Sequence, residues 1–340
     1  MQISNIAIRL AALALTGAIA IGAGNAAAQQ KILKMDVGGA GSTTHVLGTV
    51  VAKMLRRATG VSVQINDGQT LTRSSMKLGR AQIDLMPLPP AIYDFMTKGS
   101  RMYKKRLHKE AIAASKNIRG IFGYLANLFD PVTFERTGIK TWADIKGKRV
   151  FTGPPSGAAA VTSETMIRVI TGYLPNKDYK AIRLPWGSGL QAMLDGKIDV
   201  YVRPAGLGSA IIEQLGLKQR FRLLDAGDSV KSKAWKTRYL ATPGRVTGVI
   251  PRGTYQGQMG GDITTGGGTF LFVVRKGLDE ELVYKLTKSV WDNIDEIHKT
   301  AAILRPLNKN NPFLSLEIPL HKGAIRYYKE AGIKIPSHLM

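Results

Sequence analysis

The chain has 340 residues, 48 basic against 24 acidic side chains, a formal net charge of +24 and no cysteine. With 44% hydrophobic and 21% charged residues, the composition is that of a globular protein and excludes wholesale disorder. The lack of cysteine excludes a disulfide framework, a thiolate zinc site, an iron–sulfur cluster and a cysteine nucleophile.

No acidic residue precedes Asp36. Arg9 is followed by an apolar, small-residue run over 10–23, and Ala26-Ala27-Ala28 then stands before Gln29 and Gln30. This is the layout of a secretory signal peptide over residues 1–28. The run is short and rich in Ala and Gly against the roughly 20 apolar residues of a membrane span, so the reading is cleavage near Ala28. An exported, cysteine-free chain points to a bacterial periplasm. Cleavage removes one basic side chain, Arg9, so the mature chain stays strongly positive. That charge fits nucleic acid, an anionic membrane surface or anionic solutes. The densest basic run, 101–109, reads as a solvated surface segment. With the export signal, nucleic acid is excluded as a partner.

Beyond the leader, strand-like and helix-like segments alternate. Residues 34–37 read as a strand and 46–57 as a helix, with Val46, Leu47, Val50, Val51, Met54 and Leu55 at helical spacing. A strand follows at 61–65, a helix at 71–78, a short apolar run at 83–86 and a helix at 91–98. Residues 118–128 read as a buried strand, followed by 132–134, and 149–152 as a further strand. A helix at 158–170, a strand at 180–184, a short helix at 189–194, a strand at 198–202, a helix at 209–215 and a strand at 221–224 complete the middle. The last part holds a strand at 269–274 and helices at 280–297 and 324–331. The alternation predicts an α/β fold with parallel sheets covered by helices. Ligands of such sheets sit beyond the carboxyl ends of strands, near helix N-termini.

Three segments occupy such places. Gly38-Gly39-Ala40-Gly41-Ser42-Thr43-Thr44-His45 joins a strand to a helix. Its glycines let backbone approach a ligand, and the first-turn N–H groups at the positive end of the helix dipole suit an anion. The alternatives are a turn with an N-cap at Ser42 or Thr43 and, for His45, a structural role. A dinucleotide fingerprint fails, because Thr44 stands where the third glycine belongs. Thr152-Gly153-Pro154-Pro155-Ser156-Gly157-Ala158-Ala159 repeats the strand-to-helix arrangement, which suggests two lobes with one anion-receptive helix end each. Arg203 ends a strand, and its fork suits a carboxylate; it reads equally as an exposed surface arginine. The five histidines, His45, His108, His298, His321 and His338, are scattered and none pairs at metal-ligand spacing. No serine-hydrolase, P-loop or zinc-protease motif is present. No catalytic residue, metal or cofactor is expected.

Several stretches together carry a family resemblance: the Gly38 loop, Gly138-Ile139-Lys140-Thr141-Trp142-Ala143-Asp144-Ile145-Lys146-Gly147-Lys148-Arg149-Val150, the Ser156-Gly157 loop, Asp195-Gly196-Lys197-Ile198-Asp199, Ile250-Pro251-Arg252-Gly253-Thr254-Tyr255, and Ile318-Pro319-Leu320-His321-Lys322-Gly323-Ala324-Ile325-Arg326-Tyr327-Tyr328. With these the chain resembles the TAXI-type substrate-binding proteins of tripartite ATP-independent periplasmic (TRAP) transporters. The resemblance implies a type II periplasmic binding fold, two α/β lobes joined by crossover strands with a ligand cleft between them. It places residues 30–120 and 265–340 in lobe 1 and 121–264 in lobe 2. It implies a monomeric, non-enzymatic receptor that captures a small organic anion, a carboxylate or an amino acid such as glutamate or a related dicarboxylate, and delivers it to membrane permease subunits. Carried over by position, the ligand-binding residues are Gly41, Ser42, Thr43, Thr44, Ser156, Gly157 and Ala158. His45, Tyr124 and Arg203 join them as candidates, with Asn127 beside Tyr124 on the first crossover. The sequence departs from the family pattern at 67–73, at Ala158 and at Leu207-Gly208. Two rival readings are a receptor docking on a membrane sensor and a secreted enzyme on the same fold.

Overall fold

The computed structural model of the protein describes residues 32–340; the expected leader, residues 1–28, lies outside the described residues. Apolar spacing along the chain decides its elements. The first half builds β1 (Leu33–Asp36), α1 (Thr43–Thr59), β2 (Val63–Asn66), α2 (Leu71–Gly79), β3 (Leu85–Leu88), α3 (Pro90–Thr97) and α4 (His108–Ser115). In α1 the residues Leu47, Val50, Val51, Met54 and Leu55 form one buried stripe, Ser42 caps the start, and Gly60 ends the helix in the left-handed conformation.

The long strand β4 (Ile118–Phe134) leads into a second α/β unit: β5 (Arg149–Gly153), α5 (Ala158–Thr171), β6 (Lys180–Arg183), α6 (Trp186–Leu194), β7 (Val200–Ala205), α7 (Ala210–Lys218), β8 (Phe221–Leu223), β9 (Arg245–Ile250) and β10 (Gln258–Met259). The chain returns through β11 (Ile263–Arg275) and closes with α8 (Glu280–Asp292), α9 (Ile294–Thr300) and α10 (Lys322–Glu330).

Strand order is β2-β1-β3-β11-β4-β7-β5-β6. Two parallel blocks, β2-β1-β3 and β7-β5-β6, flank the antiparallel pair β11 and β4. These two long strands cross from one hydrophobic core to the other. Ile118 to Ala126 of β4 pack with β1, β3 and α8, whereas Leu128 to Phe134 join two clusters built on β5, β7 and α5. The result is the α/β fold expected from the sequence, with two α/β halves joined by crossover strands.

Where the elements differ from the sequence reading, packing explains it. Residues 118–128 and 132–134 form one strand through Pro131, whose carbonyl accepts from the Leu224 amide at 3.1 Å. The strand read from Thr269 begins at Ile263 and includes three glycines. A Cβ at Gly267 would lie 2.5 Å from a Leu128 methyl and 2.6 Å from the Asn127 carbonyl oxygen, so β4 and β9 crowd β11 where it has no side chains. The helix read over 280–297 breaks at Asn293, whose side-chain amide donates to the Ser289 carbonyl at 2.8 Å. The basic run 101–109 is not solvated throughout, because Tyr103 is buried and donates to the Thr72 carbonyl at 2.7 Å. Among the described residues, no helix is long and apolar enough to cross a membrane, and no group of three or more acidic or histidine side chains is placed to hold a metal ion.

Candidate functional site

Five strand-to-helix turns, β1 to α1, β2 to α2, β3 to α3, β5 to α5 and β6 to α6, deliver residues to one cavity between the halves. About 90 Å³ of it is open to the centres of water molecules, room for several waters or one small solute by the measure in which one water needs roughly 10–15 Å³. Ser42, Thr43 and Thr44 line it from α1, Thr70 to Thr72 from α2, and Gly157, Ala158 and Ala159 from α5. Trp186 begins α6, Pro89 and Ile92 come from α3, and Phe270 from β11.

The charge at these helix starts is one-sided. None of the five helices has an acidic residue in its first turn. Of the helices that start elsewhere, α4, α7, α8 and α9 do and α10 does not. An acidic first turn normally complements the positive end of a helix. At the cavity that complement is missing five times over, and α2 and α5 also lack a side-chain cap. Among the described residues, no Asp or Glu lines the cavity. Asp36, at the end of β1, is fully buried and satisfied away from it, by Ser74 Oγ at 2.8 Å, Lys77 Nζ at 2.9 Å and Asn66 Nδ2 at 3.0 Å.

The cavity's cation is Arg203, near the end of β7. It is only 4% exposed. Its Nη1 donates to the Tyr201 hydroxyl at 2.9 Å, and the guanidinium carbon sits 4.8 Å from the centroid of the Trp186 ring. Its Nε is buried without a partner, and it forms no ion pair within 4.0 Å among the described residues. Asp130 stands directly opposite on β4, so both side chains leave the same face of the sheet. The Asp130 carboxyl is fully buried and neither oxygen has a hydrogen-bond partner within 3.5 Å. Burial holds it well above the ordinary aspartate range, against the opposing pulls of Tyr255 and Arg203. Burial thus works against an Asp130 carboxylate as the counterion of Arg203.

The two loops differ in how much they offer. Within the first, the Ser42 hydroxyl accepts from the His45 amide at 3.3 Å, and Thr44 Oγ1 accepts from the Gly38 amide at 3.1 Å. Thr43 Oγ1 is buried with no partner, which leaves it as the free hydroxyl of the set. In the second loop, Gly153 has φ +131°, and a Cβ there would meet the Ala160 amide nitrogen at 2.9 Å. Only glycine brings the end of β5 this close to the start of α5.

Of the residues expected from sequence, Ser42, Thr43, Thr44, Gly157, Ala158, Arg203 and Asn127 line this cavity, and Gly41, His45, Tyr124 and Ser156 do not. Gly41 has φ +74° and donates its amide to His45 Nδ1 at 3.4 Å, so both shape the turn. Tyr124 is packed in the first core, its hydroxyl raised by burial. Ser156 turns its carbonyl to Thr72 Oγ1 at 3.3 Å, a bond between the two halves. Trp186 and Phe270 are site residues the sequence reading missed, whereas the start of α2 falls in the 67–73 stretch where the sequence departs from the family pattern. The absence of Asp and Glu from the first helical turns of α2 and α6 is the sequence signal that points to these helix starts.

The chain matches the NMT1-like family over residues 35–332. Among solved structures, a TRAP periplasmic solute-binding protein from Roseobacter denitrificans with bound L-galactonate is similar at 10% identity, covering 90% of this chain and 88% of that one, with a TM-score of 0.48. A TRAP periplasmic solute-binding protein from Ralstonia eutropha with bound (S)-2-acetolactate is similar at 12% identity, with 91% and 88% covered and a TM-score of 0.47. The alkanesulfonate-binding protein SsuA from Xanthomonas axonopodis bound to MOPS is similar at 13% identity, with 88% and 90% covered and a TM-score of 0.46.

Proposed function

The chain belongs to the NMT1-like family, and we propose that it is an exported solute receptor that closes its two halves on a small organic carboxylate. One observation carries the reading: Arg203 is buried in the cleft with no carboxylate within 4.0 Å and no partner for its Nε among the described residues. A buried charge without a partner is costly, and a carboxylate ligand supplies the partner bidentately. The acid-free starts of α1, α2 and α5 add amide donors and positive dipole ends around it.

The lining narrows the ligand further. Leu71, Pro89, Ile92, Trp186 and Phe270 give the cavity apolar walls, which suit a short carbon skeleton. Nothing acidic is present to receive an ammonium group, and five positive helix ends oppose one. We therefore place 2-hydroxy and 2-oxo acids ahead of amino acids, glutamate included, as ligands. The resemblance of the loops and the 138–150 and 318–328 segments to TAXI-type proteins supports delivery to a TRAP permease from the periplasm. Lobe closure over the ligand is then a hinge motion about β4 and β11.

Binding to the folded state alone raises thermal stability by mass action. A thermal-shift screen of matched 2-hydroxy, 2-oxo and 2-amino acids tests the reading. The expected result is a concentration-dependent rise with the first two and a smaller one with the third. A rise with neutral sugars or cations and none with any carboxylate contradicts it.

A further inference from the structure

A second cavity lies farther along the same two helices that border the cleft. Phe95 of α3 and Val161, Thr165 and Arg168 of α5 line it, each beyond the helix starts that line the first. About 460 Å³ is open to water centres. Four arginines surround it, Arg101, Arg168, Arg238 and Arg245, and no acidic residue does. None of the four is within ion-pair distance of a carboxylate among the described residues.

Arg245 is the built part of the site. It spends Nη2 on Thr162 Oγ1 at 3.1 Å and packs its guanidinium 4.9 Å from the Tyr239 ring centroid. Its Nε and Nη1 are buried with no partner. Burial, with the nearby Arg101 charge, pulls its pKa down to about 10 against the opposing pull of Tyr239. A cation in that condition lacks its counterion. The other arginines are exposed, and two stand on irregular backbone: Arg101 has φ +54°, and Arg238 lies in the π-helical turn Trp235–Tyr239. Both are conformations that ordinary packing does not favour and that recur at functional sites.

We propose that this cavity is a second anion site, distinct from the cleft, which takes a phosphate or sulfate group, free or carried on a small organic skeleton. A planar carboxylate offers two acceptor oxygens on one edge. A tetrahedral oxyanion offers acceptors in several directions and a double charge, which matches guanidinium groups arriving from α5, the π-helical turn, the start of β9 and the segment after α3. The volume exceeds one inorganic ion, so an organic phosphate fits with its skeleton against Phe95 and Val169.

Calorimetric titration of the full chain with inorganic phosphate, sulfate and glycerol phosphate at matched ionic strength tests this, with chloride as the control for the general positive field. The expected result is saturable binding of a phosphate or sulfate group, weakened about tenfold or more in Arg168→Ala with Arg238→Ala, as losing charged hydrogen bonds implies. Both residues are exposed, so that variant is expected to fold, and its thermal transition checks this. Arg245→Gln abolishes binding, and Arg203→Met, which alters the cleft, leaves it intact. Binding no tighter than chloride, or binding unaffected by the Arg168 and Arg238 changes, overturns the proposal. Loss of binding in Arg203→Met alone assigns the anion to the cleft and overturns it equally, while the carboxylate reading of the cleft stands or falls separately on its own screen.

Discussion

A guanidinium that is 4% exposed and has no carboxylate within 4.0 Å costs folding free energy until a negative group joins it. Arg203→Met keeps much of the stem's packing and removes the charge. The unliganded variant is expected to melt at or above the wild-type temperature, while carboxylate affinity falls roughly tenfold to a hundredfold, the worth of charged hydrogen bonds. Melting with and without ligand, plus titration, checks both, and a variant that loses stability and keeps affinity contradicts the assignment. Asp130, opposite on β4, makes a pH prediction. Its folded pKa lies above the ordinary 3.8, chiefly through burial. Folding therefore gains from its proton below about pH 3.8 and loses that gain as pH rises through the folded value. Asp130→Asn keeps the neutral form's shape at every pH. Its urea midpoint relative to wild type is expected to rise with pH from that point upward; a difference that does not change with pH refutes the raised pKa. At this scale the sequence offered Arg203 as a strand-end arginine, but its burial depends on Trp186 and Tyr201 packing about it, which no spacing along one segment announces.

The elements show how charge was distributed to make a cleft. Four of the five helix starts away from the cavity carry acids, such as Glu110, Glu213 and Glu280, α10 being the exception, and the five at the cavity carry none. Supplying the missing acid separates stability from binding. Ala159→Asp in the first turn of α5 is expected to stabilise the helix by about 0.3–1 kcal/mol and to abolish carboxylate binding by repulsion. Denaturant midpoints and titration read the two effects, and an unchanged affinity refutes the role of the α5 N-terminus. Elements with a single amphipathic stripe, such as α1, were legible from periodicity. The Gly266–Gly268 stretch of β11 was not, because glycines signal a loop unless a neighbouring strand is known to crowd them. Pro131 misled in the same way, since its place inside β4 depends on the partner segment around Leu224.

Over the whole molecule, the parallel blocks and their crossover pair were readable as strand and helix alternation, and residues of the two loops, more than a hundred positions apart, line one cavity. The cavity itself was only half readable. Gln69 to Thr72, Trp186 and Phe270 reach it from three distant parts of the chain, and contact across such distances in sequence leaves no local pattern. The net charge of +24 sets a positive field around a molecule whose two arginine-bearing cavities lie along α3 and α5. The most direct test is a crystal structure of the protein with a 2-hydroxy or 2-oxo acid bound. The expected result is a carboxylate between the halves, within hydrogen-bond distance of the Arg203 guanidinium and of first-turn amides from α1 or α5. A ligand whose carboxylate points to solvent, or one bound in the cleft with Arg203 still unengaged, contradicts the account.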